Sequence, residues 1–142
     1  MNKESISLLI QRATEARARS HSPYSGFAVG AALLCADGSI YTGANIEVAS
    51  HTPTMCAERV AFARAVHEGQ RDFVAIAVVG GPREGAIDMI CPPCGVCRQV
   101  MSEFCKGDFQ IILTDGRESR VLTLDDMLPY RFGLDVRAQQ AK

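Results

Sequence analysis

Two cysteine groups stand where the chain turns helical, "MCAERVAFARAV" at 55–66 and "CPPCGVCRQV" at 91–100. In the second, Cys94 and Cys97 fall three residues apart at a helix start, so both sulfurs share one face. Pro93 and Gly95 shape the turn before that helix. A helix N-terminus has unpaired N–H groups and a partial positive charge, which lowers a thiol's pKa and favours the thiolate. Cys56 meets the same environment at the other helix. Three thiolates from two helix starts can fill three corners of a tetrahedron around Zn²⁺ and leave the fourth open for water. Glu58 lies in the first turn beside Cys56, where a helix aimed end-on at the metal lets both reach it. A carboxylate there can take a proton from zinc-activated water and return it to a leaving group. Arg59 and Arg98 flank the cluster in sequence and offer positive charge against three thiolates. A different arrangement adds Cys91, because Cys56, Cys91, Cys94 and Cys97 would form a closed Cys₄ zinc site. That would make an interaction module rather than an enzyme. It gives Glu58 no task, and the Pro92–Pro93 pair extends the chain away from Cys94.

Composition narrows the classes. At 142 residues, with 47% hydrophobic and 22% charged residues, an ordinary globular chain with one domain over 1–142 is expected. The net charge is −1 and no basic stripe is visible, so nucleic acid is not an expected partner. The apolar run "AVGAALLCA" at 28–36 is too short to span a bilayer, so no membrane partner is expected either. The first twenty residues or so are amphipathic, without a signal-type apolar core, and a cytoplasmic location is expected. Four of the six cysteines lie in the two clusters, a pattern of metal binding or catalysis rather than disulfides. Cys35 and Cys105 read as core thiols.

The elements that must position these residues follow from periodicity. Residues 4–19 repeat at helical spacing, and "SHSPYSG" breaks the pattern. A buried strand over 27–36, an Asp37–Gly38 hairpin turn and a returning strand over 39–47 come next. A helix from about Cys56 to Glu68 ends at Gly69, and "FVAIAVVG" at 73–80 reads as a strand covered on both faces. A helix from Cys94 to about Cys105 precedes a strand over 109–115, an edge strand in "ESRVLTL" and a short helix in "LDDMLP". The order αββαβαββα predicts a three-layer α/β/α domain on a mixed five-stranded sheet. The tail from about 134 is expected to be peripheral.

"CAERVA" together with "PCGVCRQV" resembles the small zinc-dependent cytidine deaminases. "SPYSGFAVGAAL" at 22–33, "GANIE" at 43–47 and "MLPYRFG" at 127–133 extend the likeness in the family's order. The resemblance implies that Cys56, Cys94 and Cys97 bind zinc and that Glu58 is the proton shuttle for water adding to C4 of cytosine. It implies that Phe27 packs on the base, that Asn45 and Glu47 hold the sugar hydroxyls, and that Ala57 is a further substrate contact. Asn45 and Glu47, two residues apart near a strand end, would face one side. Phe132 is implied to enter a neighbouring subunit's pocket, within a homotetramer that deaminates cytidine or deoxycytidine in pyrimidine salvage. Against the family pattern, Val48 replaces an asparagine, His51 an aromatic and Pro92 a serine, and "SHTPT" at 50–54 is unusually polar. These changes lie at the substrate's edge. They make His51 a candidate substrate-loop residue and a modified cytosine nucleoside such as blasticidin S an alternative substrate. A nucleic-acid-editing deaminase would need a basic and aromatic strand-binding surface.

Overall fold

The structure, a computed structural model, describes residues 1–134, and the expected peripheral tail falls almost wholly outside the described residues. The chain opens on α1 (Lys3–Ala16), started by the Asn2 side chain, which accepts the Ser5 N–H at 2.8 Å. A 3₁₀ turn at Arg17–Arg19 completes the helical stretch and leads by a loop to β1 (Phe27–Cys35). Asp37 and Gly38 then turn the chain into β2 (Ile40–Ala44), with Ser39 N–H bonded to Asp37 Oδ1 at 2.9 Å. α2 (Ala57–His67), β3 (Phe73–Pro82), α3 (Gly95–Phe104), β4 (Gln110–Thr114), β5 (Ser119–Thr123) and α4 (Leu124–Met127) complete the described order. A reciprocal Thr123–Asp126 capping box starts α4.

The five strands form one sheet in the order β2-β1-β3-β4-β5. β1 pairs antiparallel with both β2 and β3, while β3 and β4 are parallel and β5 returns antiparallel. β2, β3 and β4 therefore run the same way. α2 joins the first two of these and α3 joins the last two, giving two successive β-α-β units. Both helices cover one face: Ala57, Ala61, Phe62, Ala65 and Met101 pack against Leu33, Ile76, Val78, Ile111 and Leu113. α1 covers the other face with Leu9 and Ala13 against Ala32, Ala77, Val79 and Ile112. The expected three layers are present. Because both crossover helices follow strands of one direction, both begin at the same edge of the sheet, the edge where ligands bind in such folds. Gly43 brings α2 unusually close there, since a Cβ would lie 2.4 Å from Ala57 O and 2.6 Å from Ala61 N.

Cys35 and Cys105 are buried in the core as expected. β2 ends at Ala44 rather than continuing to 47, for a local reason. Asn45 N–H still donates to Val29 O of β1 at 3.2 Å, but from there the chain pairs with the loop before β1: His21 N–H bonds Asn45 O at 2.9 Å and Glu47 N–H bonds His21 O at 2.8 Å. Asn45 and Glu47 therefore stand outside the strand. Among the described residues no helix is long and apolar enough to cross a membrane.

Candidate active site

Cys56 and Cys94 are the N-cap residues of α2 and α3, and neither side chain caps its helix. A serine, threonine, aspartate or asparagine would normally take that place and satisfy a first-turn amide. The thiols point instead at one another. Cys56 Sγ and Cys94 Sγ are 3.7 Å apart, and the sulfurs of Cys56, Cys94 and Cys97 all lie within 4.8 Å of each other. A tetrahedral zinc with Zn–S bonds of about 2.3 Å sets its sulfurs about 3.8 Å apart. Thiol chemistry agrees with the spacing. Cys56 is brought down to about 5, first by its bond with Cys97 and also by Arg59 and Cys94. Cys97, the buried member, is pushed up because it keeps the proton that it shares with Cys56. Arg59 Nη2 stands 3.5 Å from Cys56 Sγ and donates to Thr54 O at 3.1 Å. Its Nε is buried without a partner, a cationic group placed where anionic sulfur would satisfy it. These residues fit zinc. Cys91 is outside the group of mutually close sulfurs, so the four-cysteine arrangement is not the one formed.

Glu58 is only 4% exposed and lies in the first turn of α2. Burial raises its carboxyl to about 7, aided by the nearby Cys56 charge. A carboxyl poised near neutrality both takes and gives a proton at working pH. Cys91 lies close enough to feel that carboxylate: burial pushes its thiol up to about 11, with Glu58 and Cys56 adding charge repulsion. Its sulfur lies over Gly80, where a Cβ would come within 2.7 Å of Cys91 Sγ and 3.0 Å of Phe27 Cε2. Phe27, half-buried at the start of β1, and Cys91 thus both border Gly80.

Asn45 and Glu47 are already engaged. Asn45 Oδ1 accepts the Val29 N–H at 2.9 Å and the Ser20 hydroxyl, and Asn45 Nδ2 donates to Phe27 O at 2.9 Å. Glu47 Oε1 accepts the Tyr24 and Ser25 amides at 3.0 and 3.1 Å, and its Oε2 accepts the Ser25 hydroxyl. Sequence reasoning missed this supporting set. Ser20 and Ser22 share a bond at 3.0 Å, and Arg83 Nη2 donates to Ser20 O and Ser22 Oγ at 3.0 Å each. The serines of "SHSPYS" carried a faint signal as turn residues, while Arg83, in another loop, carried none.

The other candidates fall as follows. Ala57, fully buried, is the first residue of α2, so its amide belongs to the unpaired first turn. His51 is exposed at φ 64, in a turn where its N–H bonds Val48 O at 2.8 Å and its carbonyl accepts the Thr54 N–H. Its ring meets Tyr24 edge-on at 6.2 Å. Arg98 does not reach a sulfur by hydrogen bond. It donates to Pro93 O at 2.8 Å and Met127 O at 2.7 Å, so its charge serves carbonyls. Phe132 is 68% exposed, with its carbonyl held by Gln99 Nε2 at 3.0 Å.

Comparison with known proteins places this geometry. The family described as "Cytidine and deoxycytidylate deaminase zinc-binding region" matches residues 3–113. A cytidine deaminase of Halalkalibacterium halodurans is 47% identical over 126 residues, 88% of this chain and 92% of that protein. A blasticidin-S deaminase of Bacillus cereus is 32% identical over 107 residues, 73% of this chain and 76% of that protein. The crystal structure of a cytidine deaminase from Burkholderia pseudomallei superposes with a TM-score of 0.82 at 41% identity, covering 93% of this chain and 100% of that one. The sulfur cluster and its buried glutamate lie on a fold and a sequence shared with these proteins, and the chain belongs to the cytidine and deoxycytidylate deaminase zinc-binding family.

Proposed function

We propose that the chain is a single-domain, zinc-dependent hydrolase that converts cytidine and deoxycytidine to the uracil nucleosides and ammonia. The observation that carries this reading is the convergence of Cys56, Cys94 and Cys97 at two helix starts beside the buried Glu58. Bound there, zinc supplies an open coordination position and Lewis acidity that make water a nucleophile near neutral pH. Glu58 takes a proton from the attacking water and passes it to ring N3. It then carries the remaining hydroxyl proton to the 4-amino nitrogen, which leaves as ammonia as C4 becomes a carbonyl. Both transfers need a carboxyl that readily takes up and gives back a proton, and burial supports this by raising Glu58 above the ordinary carboxyl range, to about 7 in the metal-free site.

The base lies against Phe27, with the Ala57 amide as donor to its carbonyl oxygen. Hydrogen-bond counting supports the sugar role of Asn45 and Glu47. Asn45 Oδ1 has both lone pairs occupied and one amide hydrogen given to Phe27 O, which leaves one donor. The Glu47 carboxylate accepts three bonds and keeps room for about one more. One spare donor and one spare acceptor together match the needs of a single sugar hydroxyl. Phe132 completes a neighbouring subunit's pocket in a homotetramer, and the enzyme works in cytoplasmic pyrimidine salvage.

An ultraviolet assay with cytidine, deoxycytidine and blasticidin S tests this. Turnover of the first two is expected, lost on chelation and restored by zinc. Turnover of blasticidin S alone would move the substrate to the modified nucleoside, and chelator-insensitive turnover would overturn the metal reading.

A further inference from the structure

We propose that Arg98 is a positioning residue that locks the turn carrying Cys94 to the C-terminal segment 127–132. Metal retention and the placement of Phe132 are thereby coupled, an inference that rests on the zinc reading above. Arg98 grips both flanks of its own metal turn. Its Nε donates to Pro93 O at 2.8 Å, and its backbone N–H donates to Cys94 O at 3.0 Å. Pro93 is fully buried, so the carbonyl before Cys94 has a fixed place. The same guanidinium reaches across to Met127 O at 2.7 Å.

The far partner is a segment without a strand ladder. α4 itself is pinned by Leu124 N–H to Phe109 O at 2.9 Å and by Asp125 N–H to Gly107 O at 3.0 Å. Beyond Met127 the chain passes Tyr130 at φ 51, a conformation a tyrosine holds only under constraint. The constraint comes in part from α3, through Arg98 on Met127 O and Gln99 Nε2 on Phe132 O at 3.0 Å. Arg98 and Gln99 are the two residues that come after Cys97. A planar fork holds two carbonyls in fixed relation, which a single ammonium cannot do. Movement of Cys94 on metal loss must therefore pull on Met127, and release of Met127 must loosen the turn.

Hydrogen exchange on the full chain, zinc-loaded and then metal-stripped, tests the coupling in wild type, Arg98→Gln and Arg98→Lys. Stripping wild type should speed exchange across 128–133 about tenfold, the scale of one lost charge-assisted hydrogen bond, while amides of β1 and β3 stay protected. In Arg98→Gln the segment should exchange fast with zinc bound, zinc should pass to a chelating indicator about tenfold faster, and stripping should add nothing. Arg98→Lys should behave like Arg98→Gln, because charge without the fork cannot span both carbonyls. The proposal is overturned if segment 128–133 in wild type ignores zinc, or if Arg98→Lys keeps wild-type protection and zinc release. Should Arg98→Gln fail to fold, the wild-type pair and Arg98→Lys still decide. A wild type that holds no zinc would overturn the metal reading and the coupling together. Fast exchange in Arg98→Gln alone would then still separate the Met127 tie from the metal.

Discussion

Replacing Glu58 with glutamine should remove nearly all turnover and yet stabilise the metal-stripped protein, increasingly so as pH rises. Glu58 is 4% exposed, and burial lifts its carboxyl from an ordinary 4.5 to about 7. Between those values the folded chain binds a proton that the unfolded chain has released. Stability from this group is therefore fully present below about pH 4.5 and lost as pH rises through about 7. At about 1.4 kcal/mol per pH unit, the loss amounts to roughly 3 kcal/mol. Glutamine has nearly the same shape and no charge to desolvate, so it escapes that loss. The stability gap between variant and wild type should open from near zero at about pH 4.5 to roughly 3 kcal/mol at about pH 8. Urea unfolding of the chelator-treated proteins across that range measures it. In the zinc-loaded proteins, loss of the proton shuttle should lower kcat by about 10²–10⁴-fold with zinc content unchanged. A gap that stays constant with pH would refute the desolvation argument. Activity within about tenfold of wild type would mean that another group moves the proton.

Cys91→Ser should retain one zinc per chain by metal analysis, whereas serine at Cys56, Cys94 or Cys97 should lose it; zinc loss from Cys91→Ser would point to a four-cysteine site. Gly80→Ala should cost about 1–3 kcal/mol in thermal or urea unfolding, because its methyl meets Cys91 Sγ at 2.7 Å and the Phe27 ring at 3.0 Å. The double variant Gly80→Ala/Cys91→Ala should recover part of that loss, because only the 2.7 Å sulfur contact is relieved while Cys91 Cβ and Phe27 Cε2 stay at 3.0 Å; a double variant no more stable than Gly80→Ala would mean that the sulfur clash is not the cost. Phe132→Ala should raise KM while leaving zinc content intact. Mixed with inactive Glu58→Gln chains it should regain activity, since a mixed assembly can unite one intact Glu58 with one intact Phe132; a fully active monomer by sedimentation would end the shared-site reading.

Much of the scaffold was legible because its signals are local. The apolar run "FVAIAVVG" gave β3, and Asp37–Gly38 gave the hairpin, each within two residues of where the structure has them. The convergence of the three sulfurs was legible because Cys94 and Cys97 stand at helix spacing with a third cysteine at another helix start. The two arginines show the limit. Arg59 follows Cys56 by three residues, which returns its guanidinium to the same side as that sulfur, and it reaches it at 3.5 Å. Arg98 follows Cys94 by four residues, which equally returns it to that side, yet its donors are taken by the Pro93 and Met127 carbonyls. Helix spacing sets which side a guanidinium faces, and the nearby carbonyls decide what it bonds. Asn45 and Glu47 were legible as a polar pair, but their expected placement within a strand was not what formed. Their surroundings depend on Ser20, Ser25 and Arg83, partners that no spacing rule connects to them.

The site exists because of strand direction rather than because of any one residue. β1 lies between β2 and β3 and runs against both, so β2, β3 and β4 share a direction although the sheet is mixed. α2 and α3 must then each run back across the same face and start at the same edge. Had β3 run against β2, α3 would follow a strand ending at the opposite edge, and the two cysteine groups would begin at opposite ends of the sheet. With direction settled, distance is set by packing: Gly43 lets the first turn of α2 sit against β2, and the Pro93 carbonyl held by Arg98 fixes the entry to α3. The cysteines are weak caps, so each helix start forgoes on the order of 1 kcal/mol that a serine or aspartate would supply. Zinc held there would more than offset that loss, because zinc ligation by thiolates contributes on the order of 10 kcal/mol to a folded state. On the proposed reading, two helix starts that are poor as structure would be stable as a metal site, which would account for thiols at the caps and not one turn further in.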